Sequence, residues 1–318
     1  MASGPQTSKR IFLVDAPRTY SQVFNKLFLA HPDLGHIFHP MICAMYGRER
    51  VGLNLKHCEA AEEAGKALSL KTGMTESLEE AAKRMEKYIL QIEEQCKIPW
   101  IKDHTCCHIR RDIAISVAKS PTYPDLDLRS SHNPTVFSDE LFNTFTPVIL
   151  IRHPILIIRS CYRTQASVFH LEAHGEDFKL MTTLQYSKMW FDAKRGDGQV
   201  PIVVDAEDVV HNTEATISLL CSHLGIDANG AQYTWDPAPR EEWPDDPIMQ
   251  GFFVDMLNSS SVKRGKQAVQ NALDIDNELD MWKVEFGGDV AAVLKKRVEE
   301  EMPVYNFLKG FKVDIKAQ

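Results

Sequence analysis

An apolar run followed at once by polar residues constrains the fold of this chain more than any other stretch. Val148 to Ile151 are four consecutive apolar residues, and Arg152, His153 and Pro154 come directly after them. Such a run without polar alternation is typical of a strand buried on both faces of a parallel sheet. His153 and Pro154 suit an N-cap and a first helical position, because a proline there already has a helical φ and needs no amide hydrogen. The stretch therefore predicts a strand, a tight turn and a helix.

The same strand-then-helix pattern recurs along the chain. Further strands are predicted at 11–14, 98–104 and 200–204. Helices are predicted from 23, over 77–96, 181–193 and 213–224, and as a C-terminal pair over 281–308 that breaks near Pro303; residues 31–52 are interpreted as a loop. We see no repeat and no interdomain linker. The pattern predicts one α/β domain over residues 1–318, a three-layer sandwich with a central parallel sheet.

Composition narrows the class of function. The chain has 318 residues, of which 44 % are hydrophobic, and this supplies a sizeable core. Its net charge of −8 argues against broad binding to nucleic acid or to an acidic membrane, because such surfaces need a basic excess. No long apolar run indicates a membrane span or a signal peptide. The seven cysteines are scattered without C-x-x-C pairs, which favours reduced thiols and a cytoplasmic location.

Polar residues follow several predicted strands, where parallel sheets gather ligands. Arg152 and Ser160, which lies on the next helix, are suited to binding a phosphate group. The alternative interpretation is that Arg152 only covers the end of the sheet and pairs with a surface carboxylate. His104 suits acid–base work, although a lone histidine is often structural. The loop after the first strand suits an anion, but it has no G-x-x-x-x-G-K-[ST], so an ordinary nucleotide kinase or ATPase is disfavoured.

Other polar segments carry less specific signals. His31, His36 and His39 lie close together, but prolines and a glycine interrupt them and no further ligand completes a set, so we expect no metal site. The stretch 120–133 is rich in Pro, Ser and Asp and predicts a mobile loop or lid. The basic loop 259–266 is either solvated surface or a cover for an anionic ligand.

Three motifs, in this order, resemble those of the sulfotransferase superfamily, and most closely fungal sulfotransferase-like proteins. The family has a P-[KR]-[ST]-G-[ST]-T loop after its first strand, where this chain has P-R-T-Y-S-Q. It ends the next long strand with K-x-H, as Lys102 and His104 do. The family also has an arginine and a serine on a strand-to-helix turn, and Arg152 and Ser160 occupy these positions in this chain. The likeness covers most of the chain, including the tail segments 282–287 and 301–308.

The resemblance implies a P-loop NTPase-like sulfotransferase fold and a donor, 3′-phosphoadenylyl sulfate, which becomes adenosine 3′,5′-bisphosphate. The residues it implies for binding the donor are Pro17, Arg18, Thr19, Tyr20, Ser21, Gln22, Arg152, Ser160 and, as a looser match, Lys263, Arg264 and Gly265. It implies that His104 takes the acceptor proton, that Arg18 and Lys102 offset negative charge, and that no metal is required. The acceptor would be a hydroxyl of a small secondary-metabolite-like molecule.

Two residues depart from the family motif. Tyr20 stands where the family has a glycine or alanine that lets backbone amides approach the phosphosulfate, and Gln22 replaces a hydroxyl residue. A lyase, dehydratase or cyclase on the same scaffold, with no sulfate transferred, therefore stays open as an alternative. So does a non-catalytic nucleotide-binding protein. Nucleotide binding, and acceptor turnover without nucleotide, distinguish these three hypotheses.

Overall fold

The fold is built on a five-stranded sheet. The computed structural model describes residues 9–46, 73, 75–119, 133–169, 172–243, 254, 256–262 and 273–314. The strands are Arg10–Asp15 (β1), Leu34–Phe38 (β2), Ile98–His104 (β3), Phe145–Ile151 (β4) and Ile202–Asp205 (β5). They lie in the order β2-β3-β1-β4-β5 and every pair is parallel. The predicted parallel sheet is confirmed.

Helices lie on both faces of this sheet. They are Ser21–Lys26 (α1), Ile42–Tyr46 (α2), Leu78–Glu94 (α3), Arg111–Lys119 (α4), Asp139–Thr144 (α5), Pro154–Phe169 (α6), Glu176–Thr182 (α7), Gln185–Gly196 (α8), Ala206–His211 (α9), Thr213–Leu224 (α10), Ile275–Phe286 (α11) and Gly288–Lys309 (α12). One buried cluster includes Trp190 and Trp282, and the other, across the sheet, includes Trp100 and Phe28. The structure therefore has the predicted three layers.

The strand register aligns the carboxyl ends of neighbouring strands. Asp15, the last residue of β1, is level with His104 at the end of β3 and with Leu150 near the end of β4. Phe38, the last residue of β2, is level with Lys102. Helix α6 begins at Pro154, as predicted, directly after the turn that follows β4. Polar residues that are far apart in the sequence are therefore brought to one edge of the sheet.

The prediction of a loop over residues 31–52 is wrong in its described part. That part contains strand β2 and helix α2, while residues 47–52 lie outside the described residues. The strand is short and contains a glycine and a histidine, so its sequence carries no apolar run. Pairing with β3 supplies the backbone hydrogen bonds that hold it in the sheet. The three histidines of this region also have local partners; for example, the His36 ring lies 3.0 Å from the carbonyl of Phe28.

A single helix over 181–193 is also a wrong prediction, because the chain bends there between α7 and α8. The amide of Leu184, at the start of α8, donates to the buried carboxylate of Glu301 over 2.8 Å. Glu301 also accepts a 2.8 Å hydrogen bond from Arg297. A carboxylate from the last helix thus stabilises the start of α8, and a local pattern contains no sign of this contact.

The predicted C-terminal helix pair exists, but its break lies elsewhere. Helix α12 runs through Pro303, and the chain turns instead at Gly287, which has a φ of 89°. This backbone conformation is easily adopted only by glycine, so the turn depends on that residue. The helix interrupter that decides the geometry is therefore the glycine and not the proline.

The predicted lid and the predicted basic loop lie partly outside the residues that the structure describes. The stretch 120–132 and the basic residues 263–266 lie outside the described residues. Within the described ranges, no helix combines the length and the apolar character needed to cross a membrane. The described part of the chain also contains no group of three or more His, Cys, Asp or Glu side chains placed to hold a metal ion. The six described cysteines are unpaired.

Replacing Glu301 by alanine tests the buried contact that begins α8. We expect the free energy of unfolding to fall by about 3 kcal/mol, since the change removes a buried partner of Arg297 and the acceptor of the Leu184 amide. Urea denaturation measures this difference. Glu285→Ala is the matched control, because its pair with Arg163 is solvent-exposed and should contribute less than about 1 kcal/mol. Equal effects of the two substitutions would contradict the assignment.

Candidate active site at the carboxyl ends of the strands

The loop between β1 and α1 has an unusual backbone. Arg18 has a φ of 70° and Tyr20 a φ of 72°, both in the left-handed region that non-glycine residues rarely adopt. Each such residue costs on the order of 1–3 kcal/mol, and strain of this kind concentrates at functional sites. The buried hydroxyl of Thr19, between them, lies 2.8 Å from Oδ2 of Asp15 and 2.9 Å from the carbonyl of Ala16. The loop is thus held in a strained shape by the end of β1.

A buried carboxylate lies directly beneath this loop. Asp15 is fully enclosed, and its Oδ2 lies 3.0 Å from Nδ1 of His104. Burial alone would raise the pKa of Asp15, but the charges of Lys102 and His104 outweigh it and hold that pKa well below its usual value. Because the carboxylate is ionised and can only accept, Nδ1 of His104 must carry the hydrogen. The other ring nitrogen, Nε2, then carries the lone pair that can accept a proton.

The ammonium group of Lys102 lies among three side chains. Its Nζ is 2.9 Å from Nε2 of His39, 3.4 Å from each ring nitrogen of His104 and 3.6 Å from Oδ1 of Asp15. Burial lowers the pKa of Lys102, while Asp15 and Asp103 oppose this shift. The Lys102 side chain is only 1 % exposed, against 16 % for His104. Lys102 therefore contributes a buried positive charge beneath the site, whereas the His104 ring reaches the solvent-exposed surface of the site.

His39 belongs to a second histidine–carboxylate pair. Its Nδ1 lies 3.0 Å from Oδ1 of Asp103, whose other oxygen accepts the Met41 amide over 2.8 Å. Burial and the charge of Lys102 lower the pKa of His39 to about 4. The side-chain nitrogen of Gln22, in the first turn of α1, lies 3.3 Å from Nε2 of His39. The two pairs, Asp15–His104 and Asp103–His39, thus flank one buried lysine.

The predicted phosphate clamp contacts the same loop. Nη1 of Arg152 donates to the carbonyl of Arg18 over 3.0 Å, and Nε of Arg18 donates to Oγ of Ser160 over 2.9 Å. The guanidinium of Arg152 also lies 5.8 Å from the centre of the Tyr20 ring, within the range of a cation–π contact. Burial lowers the pKa of Arg152 below its usual value, and the charge of Glu207 opposes this shift. Arg18 therefore links the two halves of the site.

The structure brings most of the predicted site residues to one edge of the sheet. These are Pro17, Arg18, Thr19, Tyr20, Ser21, Gln22, Lys102, His104, Arg152 and Ser160. Lys263, Arg264 and Gly265 lie outside the described residues, so their role stays a prediction. Sequence reasoning missed Asp15, Asp103 and His39. A signal existed for the first two, since a carboxylate within or directly after a buried strand needs a partner.

Two neutral histidines make the fold sensitive to acid. The buried His108, which accepts a 3.1 Å hydrogen bond from Trp190, has a pKa lowered to about 4 by burial, as His39 has. The unfolded chain takes up these protons as the pH falls from 6.5 toward 4, and the folded chain does not. The contribution of the two neutral histidines to the free energy of unfolding is therefore fully present above pH 6.5. At pH 5 this contribution is smaller by about 2 kcal/mol for each histidine.

Urea unfolding at pH 7.5 and pH 5 measures this dependence. His108→Gln keeps an acceptor for Trp190 and does not titrate, so we expect its stability to fall less between the two pH values, by about 2 kcal/mol, than that of the wild type. Equal losses in the wild type and the variant would show that His108 is protonated in the folded chain.

The sequence of the chain is similar to those of two fungal proteins. No model of a known protein family matches the chain. It is 24 % identical over 343 aligned residues to sulfotransferase ppzF of Metarhizium rileyi, covering 98 % of each chain. It is 25 % identical over 261 residues to sulfotransferase ppzF of Metarhizium majus, covering 74 % of this chain and 76 % of that one.

A solved sulfotransferase from Alicyclobacillus acidocaldarius aligns with 90 % of this chain and 98 % of its own, at 12 % identity and a TM-score of 0.39. The sequence similarity to the Metarhizium rileyi protein spans almost the full length of both chains. The chain is thus similar, over almost its full length, to a fungal protein named as a sulfotransferase, and the three motifs at the carboxyl ends of its strands resemble those of the sulfotransferase superfamily.

Proposed function

We propose that this chain transfers a sulfuryl group from 3′-phosphoadenylyl sulfate to a hydroxyl group of a small organic acceptor. The observation that supports this most is the pairing of His104 with ionised Asp15, since it leaves Nε2 of a surface-reaching imidazole free to take a proton. A general base of this kind is what attack by a hydroxyl on sulfur requires. The names of the fungal relatives support the same class of reaction.

The proton chemistry follows from the His104–Asp15 pair. As the acceptor oxygen bonds to sulfur, the bond between sulfur and the bridging oxygen of the donor breaks and adenosine 3′,5′-bisphosphate leaves with that electron pair. Nε2 of His104 takes the acceptor proton, and the ring becomes positively charged. Asp15 stays a carboxylate because its pKa is far below neutrality, so it stabilises the charged imidazole and keeps the ring in one orientation. The ammonium group of Lys102 lies 3.4 Å from the same ring.

The basic residues around the loop fit an anionic donor. Arg152 and Ser160 would hold the 3′-phosphate, and the loop from Pro17 to Gln22 would hold the 5′-phosphosulfate. Arg18 touches Ser160 and, through its carbonyl, Arg152, so the two subsites are adjacent as a donor with two anionic ends requires. The donor supplies the sulfuryl group, and Arg18 and Lys102 offset the negative charge that develops on its oxygens.

One feature favours a second candidate function. Asp15 lies 3.6 Å from Lys102 and already balances its charge, and the Tyr20 ring lies beside Arg152. Because of these two contacts, neither Lys102 nor Arg152 needs a bound sulfate group to balance its charge. The His104–Asp15 pair can transfer protons without a sulfate group. A lyase, dehydratase or cyclase of small-molecule biosynthesis would use His104 in that way. Turnover of an acceptor in the absence of any nucleotide would favour this candidate.

Replacing His104 by alanine tests the base. We expect the rate of sulfuryl transfer to fall by about two to four powers of ten, which is the usual contribution of general base catalysis. Transfer of radioactive sulfate from the donor to a hydroxyl acceptor measures it. His174→Ala is the matched control, because that histidine is exposed and pairs only with Glu172 among the described residues. Activity of the His104 variant within a few-fold of wild type would exclude the assignment.

Calorimetric titration with adenosine 3′,5′-bisphosphate tests the donor site. Arg152→Ala should weaken binding by about tenfold to a hundredfold and Ser160→Ala by about threefold to tenfold, the ranges for charged and neutral hydrogen bonds. Arg163→Ala is the control, since this exposed arginine on the same helix pairs with Glu285. No heat from the wild type at millimolar nucleotide would exclude the donor. Binding without turnover would indicate a nucleotide-binding protein.

A further inference from the structure

We propose that His39 is a positioning residue that holds the ammonium group of Lys102 below the reacting groups and couples it to Gln22 at the start of α1. This inference rests on the proposed function, in which the charge of Lys102 stabilises the transfer of the sulfuryl group. His39 lies just after β2, in a segment that carries no apolar pattern, so its presence at the site follows only from the structure.

The distances around Lys102 identify His39 as its hydrogen-bond partner. Nζ is 2.9 Å from Nε2 of His39, whereas Oδ1 of Asp15 is 3.6 Å away, beyond hydrogen-bond distance. The two ring nitrogens of His104 are equally distant at 3.4 Å, so Nζ is not aligned with either of them. An ammonium group can only donate, and Nε2 of His39 must therefore be the acceptor. The position of the Lys102 charge depends on that acceptor.

Asp103 holds His39 in the form that can accept. Burial alone would raise the pKa of Asp103, but its contacts with His39 and the Met41 amide lower it, so it is ionised. Its Oδ1 lies 3.0 Å from Nδ1 of His39 and also accepts the His104 amide over 2.8 Å. Nδ1 of His39 consequently carries the hydrogen, and Nε2 carries the lone pair that faces Lys102.

The same nitrogen explains one departure from the family motif. The side-chain nitrogen of Gln22 lies 3.3 Å from Nε2 of His39, so Gln22 and Lys102 meet at one acceptor. His39 itself has a left-handed backbone, with a φ of 48°, which costs free energy and is retained at functional positions. The departure at Gln22 is therefore matched by His39, which lies just after β2, and together they fix the first turn of α1 relative to Lys102.

Loss of this acceptor should move the lysine rather than remove it. The acceptors that remain within reach are Nε2 of His104 at 3.4 Å and Oδ1 of Asp15 at 3.6 Å. Because Asp15 is ionised, an ammonium group that turns toward it forms a closer ion pair. The closer carboxylate then neutralises more of the positive charge that would otherwise act on the developing negative charge. Binding of the 3′-phosphate of the bisphosphate product depends instead on Arg152 and Ser160, whose side-chain hydrogen bonds within the described part of the chain go to Arg18 and not to His39. The predicted defect is thus in kcat and not in nucleotide affinity.

Two substitutions of His39 form a matched pair. A glutamine side chain places an oxygen near the position of Nε2, and an asparagine side chain ends near that of Nδ1. Asparagine also tolerates the left-handed backbone, so a defect in His39→Asn does not arise from strain. We expect kcat of His39→Asn to fall by about tenfold to a hundredfold, and kcat of His39→Gln to stay within about threefold of wild type.

The readouts are kcat for sulfuryl transfer and calorimetric affinity for adenosine 3′,5′-bisphosphate. The affinity should stay within about twofold of wild type in both variants, because a positioning role changes only the charge that acts during transfer. Equal kcat values for the asparagine and glutamine variants, or a loss that appears in nucleotide affinity instead, would overturn the role of His39.

A measurement without turnover separates this inference from the proposed function. If the wild type transfers no sulfate, the proposed function fails by itself. Side-chain nitrogen NMR at pH 6.5 then tests His39 directly: we expect hydrogen on Nδ1 and an unprotonated Nε2 that accepts a hydrogen bond. Hydrogen on Nε2 would overturn the inference, since that nitrogen could not accept from Lys102.

Discussion

The candidate site depends on the compensation of two buried charges, those of Asp15 and Lys102. Neither can be enclosed alone without a free-energy penalty of several kcal/mol, so each needs the other and further hydrogen bonds. The register of β1 and β3 places Asp15 level with His104 and two residues beyond Lys102 on the facing strand. One pairing between strands therefore fixes the tautomer of His104, the position of the lysine charge and the base of the loop.

The loop above these charges is equally constrained. Its left-handed residues, Arg18 and Tyr20, remain because Thr19 is bonded to Asp15 below and Arg152 donates to the Arg18 carbonyl beside them. A glycine would adopt the same backbone without strain, and Tyr20 instead supplies a ring next to Arg152. The departure at Tyr20 is accommodated because its ring lies beside the guanidinium of Arg152. The loop and the clamp consequently form one connected unit.

Much of the fold could be predicted from the sequence, because strands buried on both faces leave unbroken apolar runs and helices leave amphipathic ones. The segments that escaped prediction depend on distant contacts. β2 is a strand because it pairs with β3, and α8 begins at Leu184 because Glu301 accepts its amide. The motif residues Lys102, His104 and Arg152 could be named in advance. His39 could not, since its role requires the position of a strand that its own sequence does not reveal.

The central claim is that one connected site binds both ends of the sulfate donor. The most direct test is a crystal structure of the complex with adenosine 3′,5′-bisphosphate. We predict the 3′-phosphate on Arg152 and Ser160, and the 5′-phosphate in the loop from Pro17 to Gln22, on the side of His104. A nucleotide bound elsewhere, or one whose 5′-phosphate is kept out of the loop by the Tyr20 ring, would contradict the account.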